Sequence, residues 1–186
     1  MNKAVEDIIV LGKDSIVQLA LELIDEKVEV HNFSKIKVMT DGRTVYVSFM
    51  NTIKYLPMNS VFYFDVGVNL IEKVVVYDPV SNGVFESKIK VPFYKQTKQT
   101  KKNIQFVMDA INKSDEVGPI DAVNFEDAMT IRENDDYYNI IVVSEFQESS
   151  YKIEKISGKI YDSVHAHLAP LPIFGDENKY KFKEIN

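Results

Sequence analysis

Apolar side chains recur along the chain with two distinct periods. Ile16, Leu19, Ala20, Leu23 and Ile24 fall at i, i+3, i+4, i+7 and i+8, one stripe of an amphipathic helix. Ser15, followed three residues later by Gln18, supplies a capping-box candidate at its start. Ile104, Val107, Met108 and Ile111 repeat the stripe on a shorter helix, with Asn103 as the expected cap and Gly118-Pro119 as a stop beyond it.

After each helix the period drops to two. Phe33 leads into an alternating run at 35–39, the turn Asp41-Gly42, and a second run at 44–49. Asp-Gly between alternating runs is the strongest short-range hairpin signal, and it predicts Ile36, Val38, Val45, Val47 and Phe49 on one face with Lys35, Lys37 and Tyr46 on the other. Phe125 likewise precedes a run at 129–132, a turn at Asn134-Asp135 and a strand from Tyr137 to Phe146. Further strands are expected at 61–68, where Phe62, Phe64, Val66 and Val68 alternate with Tyr63, Asp65 and Gly67, and at 73–77 before turns at Asp78-Pro79 and Asn82-Gly83. Segments 151–155 and 159–168 flank Ser157-Gly158 as another hairpin.

The helix stripes are offset by about 88 positions and the hairpins by about 93, near half of the 186 residues, so an internal repeat is the economical reading. The fold expected is α+β, with two tandem modules packed together, each a helix plus a curved antiparallel sheet. Their bounds are 1–94 and 103–186, with 95–102 as an exposed connection carrying Lys95, Lys98, Lys101 and Lys102. Modules of this size have marginal cores without disulfides. The halves are therefore expected to bury apolar faces against each other, with Ile16, Leu19, Leu23, Val47, Phe64, Ile104, Val107, Ile140 and Val142 most protected. The tail from Gly175, where Tyr180 and Phe182 alternate, leaves an added edge strand and a mobile end both open.

One helix across such a sheet is the layout of cystatin-like and NTF2-like modules. Tyr137-Tyr-Asn-Ile-Ile-Val-Val-Ser-Glu, Tyr151-Lys-Ile-Glu-Lys and Ser157-Gly-Lys-Ile-Tyr resemble the strand and Gly-Lys-Ile hairpin pattern of bacterial NTF2-fold immunity proteins and small exported inhibitory domains. The resemblance covers about 45 residues and is mostly turn chemistry, since Gly158 supplies a left-handed backbone position that tight hairpins want. It implies a non-catalytic protein-binding role or a ligand pocket. The catalytic pocket sets of NTF2-like enzymes do not map onto residues of this chain.

Composition narrows the classes. A chain that is 45% hydrophobic and 27% charged should fold, and its formal charge of -6 argues against a duplex nucleic-acid binder. With no cysteine, disulfide frameworks, thiolate zinc sites and cysteine nucleophiles are excluded. Gly12 and Lys13 interrupt the short N-terminal apolar run, so neither a spanning helix nor a signal peptide is expected. The expectation is a cytoplasmic protein without membrane contact, an exported mature chain remaining open.

Candidate chemistry is sparse. Strand alternation would place His165 and His167 on one face with Tyr161 and Ser163, but a shared metal needs a third ligand, and Glu145, Asp162 and His31 have no spacing that supplies one. No metal or other cofactor is therefore expected. Phosphate loops, nucleophile elbows and zincin motifs are missing from the sequence. Glu133, Asp135 and Asp136 sit where a hairpin turn belongs, which suits a solvated turn better than a cation or partner site. Aromatics are the better clue. Tyr46, Tyr55, Phe62, Tyr63 and Phe64 gather in the first expected sheet, and Tyr137, Tyr138, Phe146, Tyr151 and Tyr161 in the second, too many for one buried face. Outward tyrosines are either cross-strand pairs or anchors of an interface. The binding set expected is Tyr46, Tyr63, Tyr138, Tyr161, His165 and His167. The function expected is non-catalytic protein binding, immunity- or inhibitor-like, through a sheet face or inter-module groove, with a protein partner or self-association. The alternative is a small-ligand carrier or enzyme with a tyrosine-lined pocket between helix and sheet, finished by His165 or His167.

Overall fold

A computed structural model describes residues 2–81, 91–114, 129–143, 147–167 and 182–185. The expected features at Asn82-Gly83, Gly118-Pro119, Phe125, Glu145, Phe146, Leu168 and Tyr180 lie outside them. The fold is α+β, and the chain divides into two compact units. Met1–Asn51, Tyr63–Pro79 and Pro172–Asn186 make the first unit; Thr52–Phe62 and Val80–Leu171 make the second. Among the described residues no helix is long and apolar enough to cross a membrane.

The first unit opens with a helix that periodicity did not predict, α1 (Lys3–Ile9), capped by the Asn2 side chain accepting from the Ala4 N–H at 3.2 Å. Gly12, at φ +78°, then turns the chain into α2 (Lys13–Leu21) and serves as its N-cap, so the Ser15/Gln18 capping box goes unused. The buried stripe is also rotated from the expected one. Ile16, Val17 and Ala20 face the core, with Ile24 just beyond the helix, while Leu19 is 38% exposed and Leu23 is half-buried.

The Asp41-Gly42 hairpin forms as expected between β1 (Lys35–Thr40) and β2 (Val45–Met50). Asp41 closes it by accepting from the backbone N–H groups of Arg43 and Thr44, both at 2.8 Å, and those bonds hold its carboxyl below its usual range. Val38 opposes Val47 and Ile36 opposes Phe49; Val38, Val45, Val47 and Phe49 are buried. β2 is followed by Asn51, whose N–H donates to Asp65 Oδ1 and whose Nδ2 donates to the Phe64 carbonyl, each at 2.9 Å. The next strand of this sheet is therefore β4 (Val61–Asn69), which buries Phe64, Val66 and Val68 on the predicted face.

Beside it runs β5 (Val74–Ser81), which passes straight through Asp78-Pro79 where a turn was expected. Proline is tolerated there because β5 is the edge of the sheet. The opposite edge is β10 (Lys183–Glu184), giving the order β10-β1-β2-β4-β5.

The second unit contains β3 (Ile53–Leu56), α3 (Lys98–Asn112), β6 (Met129–Glu133), β7 (Tyr137–Val143), β8 (Gln147–Glu154) and β9 (Ile160–His167), in the sheet order β3-β6-β7-β8-β9. β3 pairs parallel with β6, so this sheet is mixed rather than purely antiparallel, and Tyr55 belongs to it and not to the first sheet. The segment 95–102 is no simple connection either. Thr97 Oγ1 accepts from the Thr100 N–H at 3.1 Å and starts α3 at Lys98, placing Lys98, Lys101 and Lys102 on the exposed side of its first turns. Val107 and Ile111 of α3 are buried with Ile131, Ile140 and Ile153; Ile104 and Val142 are half-buried.

Gly67 has a specific reason to lack a side chain. A Cβ there would lie 1.7 Å from the Tyr46 hydroxyl oxygen, because the Tyr46 ring lies across the glycine on the face opposite the core. Gly67→Ala is expected to cost about 1–3 kcal/mol by overpacking, although alanine is otherwise the better strand residue. In a Tyr46→Ala background the same change should cost little, a coupling that urea denaturation of the four proteins measures.

Candidate functional site

Polar side chains converge most densely in the second unit. Because α3 begins at Thr97, Asn103 lies in its second turn rather than at its cap, and its Nδ2 donates to Tyr55 Oη at 2.7 Å. Tyr55 Oη in turn donates to Glu133 Oε2 at 2.7 Å. Lys155, in the turn after β8, donates to Glu133 Oε1 at 2.9 Å and stands 5.2 Å from the Tyr138 ring centroid. One chain of hydrogen bonds, two of them charge-assisted at the Glu133 carboxylate, thus ties α3, β3, β6 and the β8–β9 turn together. Tyr138 fills the space beneath, its ring centroid 6.4 Å from Tyr55 and 6.1 Å from Phe106.

Burial pushes the Tyr55 phenol far above its ordinary value of 10.0, and the bond to Glu133 pushes it further. Tyr138 is raised for the same first reason, with the Glu133 charge adding to it. A phenol held this firmly in its neutral form is a poor acid and a poor nucleophile. The Tyr55 hydroxyl both donates and accepts within the cluster, and the two carboxylate oxygens of Glu133 each accept a bond. This arrangement fixes elements in place. Beside it, Glu133 also lines an open concavity of about 390 Å³ with Met58, Asn59, Asn134, Asp135, Asp136 and Tyr137. Among the described residues no three His, Asp or Glu side chains converge as metal ligands.

The six expected binding residues are dispersed. Tyr46 covers Gly67, and Tyr63 packs on Tyr77 with ring centroids 5.0 Å apart, both on the first sheet. Tyr138 is a core residue, 6% exposed. Tyr161 and His165 both lie on β9, but on opposite faces, against the alternation that would group them. Ser150 pairs with Val164 and Lys152 with Tyr161, so Tyr151 alone faces both Asp162 and Ser163, a β-bulge that shifts the alternation by one. Asp162 takes the left-handed position of the bulge at φ +59°, and its carboxylate meets Lys152 Nζ at 2.6 Å. His165 consequently sits with Ser149 and Tyr151. Its Nδ1 is 2.9 Å from Ser149 Oγ, and its ring stands edge-on to Tyr151 at 5.7 Å. His167 pairs through its backbone with Gln147, and its side chain lies outside the described set.

Sequence reasoning passed over Tyr55, Asn103, Glu133 and Lys155 as a group. The available signal was the polar Asn103 on an otherwise apolar stripe, which demanded a partner.

Tyr55→Phe is expected to destabilise the fold by about 1–3 kcal/mol, since Asn103 and Glu133 lose a buried partner. The pH dependence has a definite sign. Above the ordinary phenol value of 10.0 the unfolded chain loses the Tyr55 proton while the folded chain keeps it, so the stabilisation is complete below that pH and declines as pH rises past it. Guanidinium melts between pH 8 and 11.5 should show a steeper alkaline decline for the parent than for Tyr55→Phe.

Compared with protein-family models, curated proteins and solved structures, the chain matches none.

Proposed function

We propose that this chain is a non-catalytic protein-binding protein, immunity- or inhibitor-like, that offers the β9 edge of its second sheet to a protein partner. One observation carries the reading. Among the described strands β9 ends the order, and every residue from 161 to 166 is exposed, on both faces of the strand, with Tyr161 at 39% and Val164 at 57%. A strand edge presents backbone donors and acceptors in a row, which is what an added strand recognises. The bulge at Asp162 and the Lys152–Asp162 pair blunt the start of that edge, a usual protection against indiscriminate pairing, and leave the stretch from Val164 onward as the regular part.

The polar cluster supports binding over catalysis, because its hydroxyl and carboxylate are engaged with one another. The family-level reading belongs to the same proposal. Both sheets run as an edge strand, a hairpin and two further strands, with a helix earlier in the chain than the hairpin, which favours an internal repeat of cystatin-like or NTF2-like modules.

Val164→Lys tests it. An exposed substitution should leave the melting temperature within a few degrees. Affinity capture from producing cells with parent and variant, quantified by mass spectrometry, is expected to show a stoichiometric partner kept by the parent and lost by Val164→Lys. Identical capture by both, or none by either, would rule the β9 edge out.

A further inference from the structure

Each sheet takes one edge strand from the other half of the chain, β3 in the second sheet and β10 in the first. The two are held very differently. β3 pairs four residues with β6 and buries Tyr55 and Leu56 to 1% and 0% exposure. β10 pairs two, Glu184 with Met39 and Lys183 with Thr40, and Phe182, Lys183 and Glu184 are all exposed. Among the described residues it is further tied by the Ile185 N–H, which donates to the Val38 carbonyl at 2.8 Å, and by an exposed Lys13–Glu184 ion pair at 3.9 Å.

Exposed ion pairs contribute little, and a strand that buries little apolar surface is the kind that opens well below the global unfolding free energy. The acceptor is the opposite. β1 runs for six residues, is locked by the β1–β2 hairpin, and carries the fully buried Val38 at the place where β10 lands. Among the described residues, a six-residue strand therefore holds a two-residue occupant.

We propose that the outer edge of β1 is a peptide-binding edge, that β10 fills it in cis as a resident competitor, and that an extended segment of a partner protein displaces that strand. The occupant's chemistry is given by β10 and its neighbours: an apolar–basic–acidic–apolar run, Phe182-Lys183-Glu184-Ile185, antiparallel to β1, with the carboxylate directed at Lys13. Backbone pairing supplies the affinity, and the exposed Lys13–Glu184 attraction adds only a small preference for this register. Covalent attachment gives the tail an effective concentration that a free peptide must overcome, so tail release regulates the site. This inference rests on the first unit alone and is independent of the β9 reading.

The test uses a fluorophore-labelled peptide of sequence 181–186, read by anisotropy against the full chain, the chain truncated after residue 181, and full-length Ile185→Pro, which removes the N–H donated to Val38. The truncated and Ile185→Pro chains are expected to bind the peptide at least about tenfold more tightly than the full chain. A peptide carrying Glu184→Lys should bind the truncated chain more weakly. Equal binding by all three chains, or no binding by a truncated or Ile185→Pro chain with native circular dichroism, overturns the proposal. Loss of native circular dichroism in both altered chains overturns it as well, because the tail is then an integral strand.

Discussion

Asn51 ties the chain that leaves β2 to β4 of the same sheet. Its backbone N–H reaches the Asp65 carboxylate and its side chain reaches the Phe64 carbonyl, so the chain leaving β2 is fastened to β4 before β4 has been formed in sequence order. The intervening residues have to travel outside the first sheet and return. They do so as β3, which finds its hydrogen bonds on β6 because backbone donors and acceptors cannot be buried unpaired. Asn59, at φ +54°, turns the chain back toward Val61.

The consequences reach the tyrosine cluster. Once β3 lies on β6, Tyr55 stands beside Glu133 and within reach of α3, and the two hydrogen bonds of its hydroxyl define where the helix sits. Buried polar networks specify one arrangement only when every member is satisfied, since an orphaned donor in that environment costs more than the bond itself contributes. The Lys155 ammonium closes the network from the β8–β9 turn, and its position over the Tyr138 ring adds a favourable contact.

What the sequence made legible was local. The Asp41-Gly42 and Ser157-Gly158 hairpins, the buried face of β4 and the two main helices follow from periods and turn residues a few positions apart. The misplacements came where one residue overrode a local rule. Thr97 capped α3 ahead of Asn103; Gly12 began α2 ahead of Ser15; Asp162 accepted a left-handed conformation and reversed the facing of His165 relative to Tyr161. Non-glycine residues seldom adopt that conformation, and aspartate is among those that tolerate it best, so nothing in the alternation of Tyr161, Ser163 and His165 announced the bulge. The Tyr55 cluster was illegible for a different reason: its members lie 48 and 78 positions apart, a separation that no periodic pattern encodes.

The two sheets manage their edges by different means, and the difference follows from how each edge strand is attached. β3 is bound into the chain at both ends and buries large side chains, so removing it would empty part of a core at the several-kilocalorie cost typical of deleting buried aromatic and leucine side chains. β10 is short and carries charge on exposed positions, so it contributes mainly backbone hydrogen bonds to its sheet. Backbone exposed at an edge is satisfied by water at small net cost, whereas a buried aromatic site emptied of its ring is not. An edge that can exchange its occupant therefore has to be the one whose strand contributes hydrogen bonds and little else, and in this fold that edge is β1.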